Sequence, residues 1–548
     1  MKKVAVINVP YKLSSFKEGA ASLHIGHSIA ILRNECKDVG YVEYIDYNFE
    51  EFRVFSALIY EYIDAYKDKY FSTFQKYESL DAIIRIILEE MMGVDIGLSN
   101  YLNIPESDVK KLVEAARYAF SKQLEIIKRG SFDSIILYAA NNVSLLFILT
   151  KFIQKYKKNT EIIVMDQFTF EPVTPYLQSV YTHKDITGNE IKIFQEFDPL
   201  ATLLEEHMSE MIDTVVVGEG YDYLRKKFNS EEILPSYKLN EVIFESPNGR
   251  KCSIVQSERV ELDTLPFPDY SDMNDIYEFA DIEFQRGCTF ECVFCERTRM
   301  MRREIKYHSP DYIVKMIKHI KTYGFKRFTV IDCALNNNQQ YMLEVLKAID
   351  SQGLDIEYQG NLRTQETCDE LIRLLKRTGC SVIALGIENG DEDVLKSMNK
   401  KQNLSKMLSL LEKISNNGIS LMLFLIIGFP TENLINLSST VELLVKIKEH
   451  ADIEIIEIEF YHAGHIQKLQ PNVYDEYGIE WKNSYEGMNL KDSSFNFFKP
   501  GVFGSAFYKR GMSRVDLASA TNLYVKHLKE NKIRFSMLYY QGYMIKSE

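Results

Sequence analysis

The chain has 548 residues, enough for two or more domains, and its 46% hydrophobic and 26% charged residues are typical of a globular protein. The formal net charge of −13 argues against broad binding to a phosphate backbone, so a nucleic-acid substrate is disfavoured and a peptide or small molecule is favoured. The run Met1–Ile7 is too short for a signal peptide or a membrane span, so we expect a cytoplasmic protein without a membrane partner.

Residues 1–230 alternate short apolar strands with helices. The predicted strands are Val4–Pro10, Val42–Tyr47, Ser134–Ala140, Glu161–Met165 and Thr214–Gly218, and the predicted helices are His24–Cys36 and Ser144–Tyr156. This alternation predicts an α/β domain, a Rossmann-like doubly wound parallel sheet whose ligands bind at the carboxyl ends of its strands. Strand signals vanish over about 50–130, where helical spacing predicts a helical insertion.

Residues 231–280 have the character of a linker. Ser246–Gly249 lies between two β-rich runs and predicts a hairpin turn. The prolines of Leu262–Asp269 predict an extended segment, because proline restricts its own backbone and that of its predecessor.

A regular βα cycle begins at Asp281. The predicted strands are 281–287, 326–333, 355–363, 381–389, 419–430 and 453–462. Six such repeats predict a partial (β/α)6 TIM-like barrel over residues 281–480, with its active site at the carboxyl ends of the strands. The remaining residues, 481–548, are predicted to form an α-rich C-terminal capping region.

Three of the eight cysteines, Cys288, Cys292 and Cys295, fall within eight residues just after the first barrel strand. Three thiolates on one loop have the softness and charge to hold an iron–sulfur cluster. A four-iron cluster held by three ligands leaves one iron without a protein ligand, and this iron is open to chemistry.

Other uses of these cysteines fit the pattern less well. A structural zinc site needs four ligands, and the nearest histidine, His308, lies thirteen residues beyond Cys295. Disulfides need an oxidising compartment, and core packing accounts for scattered cysteines but not for a C-x3-C-x2-C cluster.

This spacing, with an aromatic residue before the last cysteine, resembles the signature of the radical S-adenosylmethionine (SAM) superfamily. The resemblance implies a [4Fe-4S] cluster on the three cysteines and SAM bound to the free iron through its amine and carboxylate. It places Phe294 beside the adenine. It also implies a protein electron donor such as flavodoxin or ferredoxin.

The N-terminal half resembles the cobalamin-binding domain that precedes the barrel in one subgroup of this superfamily. The matching residues, which the resemblance places near cobalamin, are Pro10, Ser144, Gly218 and Glu219. The departure is Met165–Phe168, where the family usually has a Gly-Gly pair beside the nucleotide tail. A Rossmann-like domain that no longer binds cobalamin is therefore the open alternative.

The resemblance also assigns SAM contacts at the ends of barrel strands. Asp332 would accept hydrogen bonds from the SAM amine, and Arg363 would bind the SAM carboxylate. Glu388 and Asn389, in a Gly-Ile-Glu-Asn-Gly run close to the family's Gly-Ile-Glu-Ser-Gly, would hold the ribose. Gly428 would let the backbone approach the adenine. The alternative is that these residues are helix caps and structural ion pairs.

Three further residues are candidates for catalysis. His462 and His465 close the sixth strand, and histidine can act as an acid or base near neutral pH, although ordinary surface histidines are the alternative. Cys333 is a candidate hydrogen-atom donor to a substrate radical, with core packing as its alternative.

The resemblance implies cleavage of SAM to methionine and a 5′-deoxyadenosyl radical, which abstracts hydrogen from an unactivated carbon. With cobalamin, we expect methyl transfer to a peptide or another secondary-metabolite intermediate. The alternatives are a cobalamin-independent enzyme that epimerises, crosslinks or rearranges a peptide, and a binding protein that keeps the cluster as a structural element. A transfer-RNA methylthiotransferase is disfavoured, because the N-terminal half offers only Cys36 and Cys252 as further cluster ligands.

Overall fold

The computed structural model describes residues 1–9, 20–46, 106–139, 143–166, 211–229, 240–245, 251–257, 259–295, 304–460, 479–482, 505–508, 523–539 and 543–546. The chain divides into two compact units. The first comprises Met1–Lys17, His24–Val260 and Trp481–Ser505, and the second comprises Glu18–Leu23, Glu261–Glu480 and Ala506–Glu548.

The first unit is built on a seven-stranded sheet. Its strands are β1 (Lys2–Val9), β3 (Val39–Asp46), β4 (Ser134–Ala139), β5 (Glu161–Asp166), β6 (Thr214–Val217), β7 (Asn240–Glu245) and β8 (Lys251–Gln256), in the order β3-β1-β4-β5-β6-β8-β7. Its helices are α1 (Leu23–Asn34), α2 (Glu106–Arg129), α3 (Val143–Tyr156) and α4 (Tyr221–Lys227). All strand pairs except β7–β8 are parallel, which confirms the predicted Rossmann-like sheet.

The apolar run of β1 is completely buried, as expected for a parallel strand between two layers of helices. From β1 the chain first builds the β3 side of the sheet and then returns to build the β4 side. The strand order therefore reverses beside β1, which is the position where parallel sheets bind ligands. Of the predicted helical insertion, only α2 lies within the described residues.

The predicted hairpin forms the edge of this sheet. Strands β7 and β8 pair antiparallel from Asn240 opposite Gln256 to Glu245 opposite Lys251, and β8 lies parallel to β6. The turn residues between the two strands lie outside the described residues. Because β8 completes the sheet, the first unit extends to Val260, beyond the boundary at residue 230 that the sequence predicts.

The second unit is built on a nine-stranded sheet in the order β2-β9-β12-β13-β14-β15-β16-β19-β20. Its strands are β2 (Ala20–Ala21), β9 (Phe279–Ile282), β12 (Arg327–Val330), β13 (Glu357–Leu362), β14 (Cys380–Glu388), β15 (Ser420–Ile427), β16 (Ile453–Phe460), β19 (Phe535–Tyr539) and β20 (Tyr543–Lys546). Beside it, β10 (Gln285–Arg286) and β11 (Lys306–Tyr307) form a short antiparallel pair. The parallel strands β9 and β12–β16 correspond to the six predicted barrel strands, which confirms the predicted partial (β/α)6 barrel. The first of them ends at Ile282 and not at residue 287, because Gln285 and Arg286 pair with β11 instead.

Helices connect these strands, as a parallel sheet requires. They are α5 (Pro310–Lys321), α6 (Gln339–Ser351), α7 (Asp369–Arg377), α8 (Glu392–Ser397), α9 (Leu404–Asn416) and α10 (Leu434–His450). Side chains of the residues before α5, α6, α9 and α10 (Ser309, Asn338, Asn403 and Asn433) accept hydrogen bonds from first-turn N–H groups. These caps fix where each helix starts, close to the carboxyl ends of the strands.

The C-terminal region contributes strands as well as helix. Residues 523–530 are helical, β19 lies parallel to β16, and β20 returns antiparallel to β19. Strands β17 (Ile479–Lys482) and β18 (Ser505–Tyr508) form a separate two-stranded sheet. The region predicted to be α-rich therefore also covers the open edge of the barrel sheet at β16, where unpaired backbone groups would otherwise be exposed.

No helix among the described residues is long and apolar enough to cross a membrane.

Candidate functional site

The three cysteines lie on the loop that follows β10, at the carboxyl end of the second sheet. Cys288 and Cys292 are buried and Cys295 is partly exposed. The Cys295 N–H donates to the Cys292 carbonyl at 3.1 Å, and the Val293 N–H donates to the Met398 carbonyl at 3.1 Å. The loop is therefore closed on itself and held against the segment that follows α8.

Gly287 sets the start of this loop. Its φ of +133° lies in the region that favours glycine, and a Cβ at this position would stand 2.0 Å from the Glu304 carbonyl oxygen. A side chain would force the loop away from the strand, so glycine is required immediately before Cys288.

A buried ion pair supports the residues just before the loop. Arg286 donates through Nε to Glu283 at 2.9 Å, and both side chains are 2% exposed. His308 lies 2.9 Å from Asp263 through Nδ1 and 3.6 Å from Glu283 through Nε2. Burial opposes ionisation of Glu283, but Arg286 and His308 outweigh it and hold the pKa of Glu283 well below its usual range. The ionised Glu283 fixes Arg286 and, through it, the start of the loop.

Asp332, predicted to contact the SAM amine, uses both carboxylate oxygens inside the protein. The N–H groups of Phe284 and Gln285 donate to it at 2.9 and 3.2 Å. Asp332 is 1% exposed, and burial raises its pKa well above the usual range. It holds the backbone that leads into the cysteine loop, and a contact with the SAM amine stays a prediction.

Gln285 is a polar residue that the sequence analysis missed. Its Nε2 donates to the Ala334 carbonyl at 2.8 Å, and no described residue donates to its buried Oε1. This oxygen is an acceptor suited to an N–H or O–H group of a ligand. No pattern identifies it, because only the folded chain decides which end of the amide is already used.

Arg363, predicted to bind the SAM carboxylate, is directed at the cysteine loop. Its Nη1 donates to Cys292 Sγ at 3.4 Å and its Nη2 donates to the Lys400 carbonyl at 2.9 Å. The guanidinium carbon lies 3.5 Å from the ring centroid of Phe290. Three contacts therefore fix this cation against one of the thiols.

Glu388 forms a buried ion pair with Lys400, a residue that the sequence analysis missed. Lys400 Nζ donates to Glu388 Oε1 at 2.7 Å, and the side chains are 7% and 8% exposed. The same Nζ lies 5.7 Å from the ring centroid of Phe294. A Cβ on Gly386 would stand 2.1 Å from Glu388 Oε1, so glycine leaves room for the pair.

Glu388 also has a left-handed backbone conformation, with φ of +63°. Such a conformation in a residue other than glycine costs on the order of 1–3 kcal/mol and persists only where the surroundings enforce it. Here the ion pair with Lys400 holds the Glu388 side chain. Strain of this kind clusters at functional sites, which agrees with the predicted role of Glu388 in ribose binding.

Asn389 and Gly428 are joined by Glu432. Asn389 Nδ2 donates to Glu432 Oε1 at 2.6 Å, and the Gly428 N–H donates to Oε2 at 2.7 Å. Glu432 is fully buried, and burial raises its pKa to about 7. It therefore fixes the ends of β14 and β15 relative to each other. Glu432 lies only four residues after Gly428, in a Gly-Phe-Pro-Thr-Glu run that ends the fifth barrel strand.

Cys333 lies beside the cysteine loop. A hydrogen bond between its thiol and that of Cys288, together with burial, raises the pKa of Cys288. A bound metal deprotonates such a thiol, so iron would overcome this shift. Among the other catalytic candidates, His462 and His465 lie outside the described residues.

In the first unit, the predicted cobalamin residues Gly218 and Glu219 have packing roles. Glu219 is 5% exposed, accepts from the Val260 N–H at 2.8 Å and lies 3.8 Å from Arg259 Nε. A Cβ on Gly218 would stand 2.8 Å from the Ser257 carbonyl oxygen. Both residues therefore hold the chain as it leaves the first sheet.

Of the other two predicted cobalamin residues, only Ser144 lies within the described residues. Ser144 lies in the first turn of α3, the helix that comes after β4 in the chain. The backbone N–H groups of such a turn suit an anionic nucleotide tail. Pro10 lies outside the described residues.

The residues present fit a [4Fe-4S] cluster. In the described part of the chain, no three His, Cys, Asp or Glu side chains converge as a single metal ion requires. A four-iron cluster makes a different demand, because each thiolate binds its own iron. Three thiols on one fixed loop, one of them hydrogen-bonded to Arg363, meet that demand. Gln285 and Lys400 add an acceptor and a cation that fit a zwitterionic ligand such as SAM.

Residues 282–444 match the sequence profile of the Radical SAM superfamily. The second unit therefore carries a radical SAM domain, with the cysteine loop inside it. The resemblance inferred from the cysteine spacing is confirmed.

Over nearly its whole length, the chain is similar in fold to two solved structures. The radical SAM methyltransferase TsrM from Kitasatospora setae, with cobalamin and a [4Fe-4S] cluster bound, aligns over 95% of this chain and 91% of its own, with a TM-score of 0.56 and 10% identity. The cobalamin-dependent SAM radical enzyme OxsB, with aqua-cobalamin and SAM bound, aligns over 97% of this chain and 62% of its own, with a TM-score of 0.50 and 14% identity.

Curated relatives are similar over shorter regions. An uncharacterised methyltransferase from Pyrococcus horikoshii is 26% identical over 268 residues, which are 47% of this chain and 56% of the relative. Cytidylyl-2-hydroxyethylphosphonate methyltransferase from Streptomyces wedmorensis is 27% identical over 203 residues, 34% of this chain and 38% of the relative. The chain thus spans about half or less of the length of the curated relatives it matches.

Proposed function

We propose that this protein is a cobalamin-dependent radical SAM methyltransferase acting on an unactivated carbon of a peptide or another secondary-metabolite intermediate. The observation that carries this proposal is the arrangement around the cysteine loop. Three thiols stand at the carboxyl end of the barrel. Arg363 contacts Cys292 and Phe290, and Lys400 lies near the ring of Phe294. Ligands of such barrels bind at this end, so the site is built where a reaction is expected.

The residues of this chain bind and orient the reactants. Cys288, Cys292 and Cys295 would hold the cluster, and Phe294 with Glu388 would position the adenosyl group of SAM. Bound cluster, SAM and cobalamin supply electron transfer, radical formation and the transferable methyl group. Glu388 and Lys400 are almost fully buried, and a site with little access for water would protect a reactive species from side reactions.

Methyl transfer is favoured over other radical outcomes for two reasons. The fold along nearly the whole chain is similar to a methyltransferase that carries cobalamin. Several curated relatives with other substrates are also named methyltransferases or methylases. The substrate of this chain is proposed as a peptide or small molecule because the chain is acidic. Electrons would come from a protein such as flavodoxin or ferredoxin, in a reducing cytoplasm that keeps the thiols available.

A second candidate is a cobalamin-independent radical SAM enzyme that epimerises, crosslinks or rearranges a peptide. It is favoured by Glu219, whose carboxylate accepts from the Val260 backbone at 2.8 Å. Because the Glu219 carboxylate is used by a backbone N–H group, it serves the packing of the first unit, which is compatible with a domain that has lost the cofactor.

Metal analysis after anaerobic reconstitution separates these two candidates. The full chain is reconstituted with iron, sulfide and hydroxocobalamin, desalted, and assayed for metals and visible absorption. About four irons and about one cobalt per chain are expected for the methyltransferase. About four irons without cobalt would support the second candidate. Failure to hold iron would contradict both, as would the absence of SAM cleavage under strong reductant, which is the outcome expected of a binding protein.

A further inference from the structure

Arg363 occupies a position that SAM binding does not explain. Its Nη1 donates to Cys292 Sγ at 3.4 Å, although the two residues are 71 positions apart in the chain. A residue that serves only to bind the SAM carboxylate needs no donor on a thiol, because a guanidinium has five N–H donors. This one directs a donor at a cluster ligand.

The rest of the guanidinium is fixed by the protein. Nη2 donates to the Lys400 carbonyl at 2.9 Å, and the face of the group stacks 3.5 Å from the ring centroid of Phe290. Lys400 is in turn held by its ion pair with Glu388. The orientation of Arg363 towards Cys292 therefore depends on contacts within the protein and needs no ligand.

A cation at this position acts on the electron affinity of the cluster. Reduction adds one negative charge to a group that already carries thiolate and sulfide ligands. A hydrogen bond to a ligand sulfur and a nearby positive charge both stabilise the reduced form and raise the reduction potential. Because the guanidinium is fixed before reduction, little reorganisation accompanies electron transfer.

We propose that Arg363 is a redox-tuning residue, which raises the reduction potential of the [4Fe-4S] cluster by donating a charge-assisted hydrogen bond to the Cys292 thiolate. One electron passes from a low-potential reductant to the cluster, and no bond is formed or broken. This inference rests on the cluster of the proposed function. It replaces the predicted role of Arg363 in binding the SAM carboxylate.

The test is a potentiometric titration of the reconstituted full chain without SAM, followed by electron paramagnetic resonance. Arg363→Gln removes the charge, and Arg363→Lys keeps the charge but loses the forked geometry. The matched control is Arg327→Gln, at the amino end of β12. It removes another arginine that stacks on an aromatic ring, with its guanidinium carbon 4.5 Å from the ring centroid of Phe279.

We expect the Arg363→Gln cluster to be harder to reduce. At the wild-type midpoint, its ratio of reduced to oxidised cluster should fall at least tenfold, a shift of about 59 mV for one electron. Arg363→Lys should shift in the same direction by less, and Arg327→Gln should match the wild type. SAM affinity, measured by equilibrium dialysis, should change less than threefold in Arg363→Lys.

The outcomes separate this inference from the proposed function. Failure of the wild-type chain to hold iron contradicts the proposed function itself. Loaded Arg363 variants with an unchanged midpoint overturn the tuning role, and a loss of SAM affinity at unchanged midpoint restores the carboxylate role.

If neither variant holds the cluster, wild-type protein labelled with guanidino-15N arginine decides the question. A 15N coupling to the reduced cluster is then expected in pulsed paramagnetic resonance, and its absence overturns the proposal.

Discussion

The carboxyl ends of the two parallel sheets are used in different ways. In the first unit, Glu219 accepts from the Val260 backbone and Gly218 admits the Ser257 carbonyl. In the second unit, Arg363 and Lys400 direct their donors at the cysteine loop and at Glu388 beside it. Gly218 and Glu219 thus hold the chain after β6 in one unit, whereas Arg363 and Lys400 place charged donors around the cysteine loop in the other. The fold places loops at the carboxyl ends of the strands, and the side chains on those loops determine the function of the site.

The largest effect is expected from the loss of a cluster ligand at the carboxyl end of the second sheet. Cys292→Ser replaces a soft thiolate with a poor iron ligand, so iron in the reconstituted protein should fall from about four to below about one per chain. Cys368→Ser, at an exposed cysteine just before α7, is the control and should keep its iron. Equal iron in both variants would show that the loop does not hold the cluster.

Breaking the buried ion pair should cost the second unit much of its stability. Lys400→Met leaves the Glu388 carboxylate buried without its cation, which should lower the free energy of unfolding by about 3–5 kcal/mol. Lys401→Met, at the exposed neighbouring position, should change it by less than about 0.5 kcal/mol.

Urea unfolding of both lysine variants measures this difference. Adding Glu388→Gln to Lys400→Met should recover part of the loss, since the uncompensated charge is then absent. A Lys400→Met protein as stable as Lys401→Met would rule out a stabilising ion pair.

Glu432 should make the stability of the second unit depend on pH. Burial raises its pKa from 4.5 to about 7, so the folded state holds the proton over a range where the unfolded state has lost it. Stability from this group is complete below about pH 4.5 and is lost as the pH rises through about 7, by up to about 3 kcal/mol. Glu432→Gln should remove this slope, because glutamine does not titrate.

Urea midpoints at about pH 5 and about pH 8 test this slope. The control is Glu412→Gln, at an exposed position of α9, which should keep the wild-type slope. A Glu432→Gln protein with the wild-type pH dependence would show that another group carries it.

The smallest effect is expected at Glu219, after the carboxyl end of β6 in the first unit. Glu219→Ala leaves the Val260 N–H without its acceptor, which should cost about 1–3 kcal/mol, and Glu219→Gln should cost less because it keeps an acceptor. Iron content should be unchanged in both variants. Cobalt binding should also be unchanged in Glu219→Gln if this residue serves packing, whereas a loss of cobalt at unchanged stability would assign it to cobalamin.

Much of the fold and the centre of the site could be predicted from the sequence. Cys288, Cys292 and Cys295 lie on one loop, so their spacing alone brings them together. The six barrel strands are short apolar runs between helices, and a local pattern of that kind identifies them without knowledge of their partners. Asn389 and Gly428 were found through short runs at strand ends for the same reason.

The contacts of the site depend on the tertiary structure. Lys400 meets Glu388 only because the segment after α8 returns across the end of β14, and Arg363 meets Cys292 only because β13 lies two strands from β9. Which acceptor a buried donor finds depends on strand register and helix placement, and neither is encoded by a residue's neighbours in sequence. The cysteine spacing by itself therefore determined the kind of cofactor, whereas the folded chain decided which charges surround it.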